Sequence, residues 1–126
     1  MNFDKLYNLL MEEKELPILK LKDFEQTAPK NFTGIAVWPD GTKEWYLKGK
    51  LHREDGPAAI YFDGTMVWAI NDELHREDGP AVYYKDNHDN QYFLNGKEYS
   101  KQNWKNELVR RGIIKDPSLE DVMDAI

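Results

Sequence analysis

The chain has 126 residues, no cysteine and a net charge of −6. That length suits one small domain, and 40% apolar with 13% aromatic residues is enough for a modest core. The lack of cysteine excludes disulfides, thiolate metal sites and cysteine nucleophiles, and suits a reducing compartment.

Residues 1–10 lack the basic, apolar and small-residue order of a signal peptide. No apolar run approaches the roughly 18 residues of a membrane span, so a cytoplasmic protein without membrane contact is expected. Phe3, Leu6, Tyr7 and Leu10 recur at helical spacing after a candidate N-cap, Asn2, and Pro17 sets the latest end. A helix is therefore expected at about 3–14, packed on a sheet. Residues 17–32 read as irregular, although Ile18, Leu19 and Leu21 could form a short strand.

From Gly34 the pattern turns to strands. Ile35 to Trp38 is apolar, Pro39-Asp40-Gly41 signals a turn, and Lys43 to Leu47 alternates. Lys48-Gly49, Asn71-Asp72 and Asn95-Gly96 read as tight hairpin turns. The Asp40-Gly41-Thr42 turn returns as Asp63-Gly64-Thr65, and Trp45 returns as Trp68. An octapeptide also recurs without change, as residues 51–58 and 74–81, 23 apart. A period of that size marks a repeat architecture. The third unit carries one extra residue near Asn87 to Asn90, where His88 is expected to be solvated.

Each octapeptide follows a hairpin turn. Its Gly-Pro step holds Gly56 and Gly79 out of the right-handed helical region, and Pro57 and Pro80 are expected to open the next strand. His52, Arg53, His75 and Arg76 are expected to reach along the stack to the same loop of the neighbouring repeat. Ser100 then caps a helix over 101–111 with a stop at Gly112, and a second helix is expected from Asp116-Pro117. The expected fold is α+β: an antiparallel β-meander of hairpin repeats over 32–99, with an N-terminal lead-in over 1–31 and a helical cap over 100–126.

Gly49-Lys50-Leu51-His52, the two Asp-Gly-Thr turns and the Trp/Tyr-x-Leu/Ile strands resemble MORN-type repeats. The resemblance is to the divergent variant seen in bacteriophage and giant-virus proteins, and covers about 65 residues. Standard units follow the His with Gly-x-Gly, whereas His52 and His75 precede Arg-Glu-Asp-Gly-Pro. Residues 95–100 followed by a helix are also similar to the end of such viral proteins. The resemblance implies an extended row of β-hairpins and binding as the activity. A phage origin would imply a small protein, in the host cytoplasm, that binds and alters a host or defence protein.

A His beside carboxylates could serve acid–base chemistry or hold a metal. Against this, the set occurs twice in equivalent places, whereas an active site is usually one convergent pocket. The set is read as turn architecture, with no enzyme activity, metal or cofactor expected. Trp45, Trp68 and Tyr92 fit a core stripe. Trp38, Tyr61 and Tyr84, joined by Tyr46 and Phe93, form a second aromatic row. With Glu54, Asp55, Glu77 and Asp78 that row is the expected protein-binding surface. Between Glu25 and Ser100 there are 13 acids and 8 bases, which disfavours direct nucleic-acid binding and admits a basic protein partner. A small-ligand or nucleotide sponge and an acidic nucleic-acid mimic are the alternatives, and self-association is left open.

Overall fold

A computed structural model describes residues 16–86 and 89–115. The chain is mostly β, with one helix among the described residues, and so roughly α+β. The expected helices at 3–14 and from 116 onward, and His88, lie outside the described residues.

The strands are β1 (Ile18–Lys20), β2 (Gly34–Val37), β3 (Lys43–Leu47), β4 (Lys50–Leu51), β5 (Ala59–Ile60) and β6 (Met66–Val67). They continue with β7 (Ala69–Ile70), β8 (Glu73–Leu74), β9 (Val82–Tyr83), β10 (Tyr92–Leu94) and β11 (Lys97–Tyr99), before helix α1 (Lys101–Arg110). Seven strands form one sheet in the order β1-β2-β3-β5-β6-β9, with β4 also beside β3. β7–β8 and β10–β11 are separate two-stranded pairs. Residues 18–20, expected to be irregular, instead form β1, which runs parallel to β2 with Ile18 opposite Ile35. The sheet is thus mixed rather than purely antiparallel. Ile35 N–H donates to Pro17 O and Leu21 N–H to Val37 O, which extends the parallel ladder at both ends.

The tight turns follow from residue choice. Lys48-Gly49, Asn71-Asp72 and Asn95-Gly96 all have positive φ at both central positions, the geometry whose twist suits a two-residue hairpin. In the wider turns Asp40 Oδ1 accepts from Thr42 N and Asp63 Oδ1 from Thr65 N, each at 2.9 Å.

Trp45 and Trp68 are only half-buried, which corrects the expected core stripe. The residues fully buried along the repeats are small: Ala36, Ala58, Ala59, Ala69 and Ala81. A second cluster packs Leu94, Trp104 and Leu108 with Tyr92 and Tyr99, so α1 seats on β10–β11. Ser100 Oγ accepts from Asn103 N. Gly112, at φ 74°, ends the helix with its N–H on Val109 O, while Ile113 N–H reaches Leu108 O.

Candidate functional site: the cleft between the two corners

The repeated octapeptide is an insertion opposite a single residue. Trp45 O accepts from His52 N, and Trp45 N–H donates to Ala58 O. The five residues between His52 and Ala58 therefore loop out of the return strand. Trp68 meets His75 and Ala81 in the same way. On either side of each loop the ladder stays in register, with Tyr46 opposite Leu51 and Glu44 opposite Ala59.

Inside each loop the arginine folds back on its own corner. Arg53 Nε donates to Asp55 Oδ1 at 2.9 Å and Nη1 to Pro57 O at 3.1 Å, while the guanidinium lies 4.2 Å from the Trp45 ring centre. Arg76 repeats this with Asp78 (2.8 Å), Pro80 O (3.1 Å) and Trp68 (3.7 Å). Cation–π stacking and a charge-assisted bond together hold a planar group in place. The Arg side chains thus stay within their own corners, contrary to the expected reach along the stack. The strands β5 and β9 begin two residues after Pro57 and Pro80, not at them.

The histidines do cross between units, but to a turn rather than to the next corner. His52 Nδ1 accepts from Asn71 N at 3.1 Å, and His75 Nδ1 from Asn95 N at 2.9 Å. That leaves the ring proton on Nε2, which faces Glu54 at 3.7 Å in the first copy and Glu77 at 2.9 Å in the second. Backbone bonds reinforce the step: Arg53 N to Ala69 O, and Arg76 N to Phe93 O.

The two corners line one open cleft of about 1020 Å³. The first contributes Arg53, Glu54, Asp55 and Gly56, and the second His75, Arg76, Glu77 and Asp78. This corrects the expectation that a duplicated set would not converge. Successive return strands are two strand spacings apart, about 10 Å, so their loops face each other across a gap. All four acids expected at the binding surface line it, but none of the five aromatics does. Trp68, Ile70, Asn71, Glu73, Asn95 and Ile113 complete the lining and were missed in the sequence. Their signal was present: Asn71 and Asn95 sit in the hairpin turn that each histidine reaches.

The aromatic row lies elsewhere. Trp38 and Tyr61 open the Asp-Gly-Thr turns, where their carbonyls accept from Gly41 N and Gly64 N. Tyr84 N–H donates to Asn90 Oδ1. Tyr61 is exposed, whereas Trp38, Tyr46, Tyr84 and Phe93 are half-buried. Tyr46 packs on Phe32 and donates to Glu44 Oε2 at 3.1 Å. Glu44 lies between Ala36 and Ala59 on the sheet, and burial raises its pKa, with the Tyr46 bond partly offsetting this. Burial, then Glu44, raises Tyr46 as well. Among the described residues no group of three or more acidic or histidine side chains is placed to hold a metal ion. None of the described helices is long and apolar enough to cross a membrane.

No family model, curated protein or solved structure matches this chain.

Proposed function

We propose that the protein is a non-enzymatic protein-binding module built from hairpin units of about 23 residues, each closed by one corner. The observation that carries this reading is the cleft between the corners, where Asp55 and Asp78 stand with side chains 84% exposed. Each corner already satisfies its own arginine internally, so the remaining polar surface is available to a partner. The resemblance to viral MORN-type repeats supports a phage-encoded modulator of a host or defence protein. The immobilised full chain should retain one protein from bacterial lysate at stoichiometric yield. Retention of nothing above a blank resin would sink the reading.

The cleft volume also supports a second reading, a small-ligand or nucleotide sponge, because drug-sized ligands occupy clefts of roughly 300–1,000 Å³. A melting-temperature screen with nucleotides separates the two, since a ligand that binds only the native state raises the transition.

A further inference from the structure

We infer that the cleft between the corners takes a basic polyproline-II segment of a partner protein, with arginine or lysine at positions i and i+3. This deepens the protein-binding reading and rests on it.

Charge gives the chemistry of the occupant. Among the described residues that line the cleft, Glu54, Asp55, Glu73, Glu77 and Asp78 stand against two arginines, Arg53 and Arg76. Each of those arginines is committed to the aspartate of its own corner and to a tryptophan face. Glu54 and Glu77 face the rings of His52 and His75, and the lining still carries five acids against two arginines, in a chain that is itself net negative. An acidic concave surface draws a basic partner and suppresses an acidic one.

Spacing gives its conformation. The corners repeat every two strands, about 10 Å. A fully extended strand rises about 3.3 Å per residue, but its residues i and i+3 point to opposite sides. A polyproline-II helix has three residues per turn and rises about 3.1 Å per residue. Its residues i and i+3 therefore point the same way at a separation of about 9 Å, close to the two-strand repeat of the corners. The residues between them meet Trp68, Ile70 and Ile113, an apolar set of the kind that proline-rich segments dock on.

The test uses the full chain and a fluorescein-labelled peptide, Arg-Pro-Pro-Arg-Pro-Pro-Arg, followed by anisotropy at about 50 mM salt. Saturable binding that weakens toward about 200 mM salt is expected, because partly exposed ion pairs are screened. An isomer with the three arginines adjacent should bind roughly ten-fold more weakly. The triple variant Glu54→Gln, Glu73→Gln, Glu77→Gln should also lose roughly ten-fold at an unchanged melting temperature. It keeps both Arg–Asp pairs and an acceptor for His75. Absence of binding, equal binding of the adjacent-arginine isomer, or equal binding by the triple variant would each overturn the inference. A lysate partner retained equally by wild type and triple variant would leave the protein-binding reading standing and remove this site from it.

Discussion

A Cβ on Gly79 would stand 2.7 Å from Arg76 Cζ, and one on Gly56 would stand 2.9 Å from Arg53 Cζ. Neither glycine has a positive φ, so the contact that a side chain there would meet is with the end of an arginine side chain held over a tryptophan ring. Gly79→Ala should push Arg76 off Trp68 and cost about 0.5–1 kcal/mol, the usual worth of such a cation–π contact, read as a lower urea midpoint. His52→Ala removes the acceptor of Asn71 N, and loss of a buried partner costs about 1–3 kcal/mol. His75→Ala should cost less, because His75 is less buried than His52 (3% exposed). The reverse order in denaturant would contradict the burial argument. Glu44 carries the opposite sign from most carboxylates. Its folded pKa is raised above 4.5, so the native state binds more protons than the unfolded chain from that value up to the raised one. Stability from this group is therefore lost as pH rises through that window. Glu44→Gln should flatten the pH dependence of the urea midpoint above about pH 4.5 and stabilise the protein at pH 7.

Helix α1 stands where a third corner would begin. Tyr99 occupies the place of His52 and His75 after the tight turn, and Ser100 the place of Arg53 and Arg76. A serine there caps a helix instead of folding back on a ring. The helix then ties into the preceding unit at both ends: Trp104 Nε1 donates to Arg76 O at 3.0 Å, and Arg111 Nη1 to Asn95 Oδ1 at 2.7 Å. Within α1, bonds from Arg110 and then Arg111 hold Glu107 down at about 2. That contribution is complete above the usual glutamate value of 4.5 and is lost progressively as pH falls from there to about 2. Trp104→Phe keeps the apolar contact with Tyr92 but removes the indole donor. It should cost about 1–2 kcal/mol in urea unfolding, with helical circular dichroism unchanged in water. A loss of helical signal in water would mean that α1 depends on this bond for its existence rather than its seating.

For the whole molecule, the two units bond to their successors in the same way. Where each unit is bonded to its neighbour, stability is approximated by a sum over units and interfaces. Deleting residues 53–75 joins His52 to Arg76 and leaves one intact octapeptide. The shortened chain should still unfold cooperatively, with a smaller dependence on urea because less surface is exposed. Loss of a cooperative transition would show that the two corners are not interchangeable. The cleft needs both corners, so the same deletion should abolish binding of the arginine–proline peptide while leaving the helix in place.

Local chemistry determined much of this from the sequence alone. The turn residues at 48–49, 71–72 and 95–96, the Asp-Gly-Thr bends and the Ser100 cap act through their own backbone, so short-range reading finds them. The identity of residues 51–58 and 74–81 likewise fixed a duplicated local structure. Strand β1 was legible only as a possible short strand at Ile18, Leu19 and Leu21, because three residues acquire a parallel partner only when β2 arrives beside them. The place of Trp45 and Trp68 was also misread, since periodicity marks a large apolar ring as core and cannot see a guanidinium stacked on it. Whether two equivalent corners form one site depends on the lateral distance between return strands. That distance is a property of the assembled sheet, and only the tertiary structure decided it.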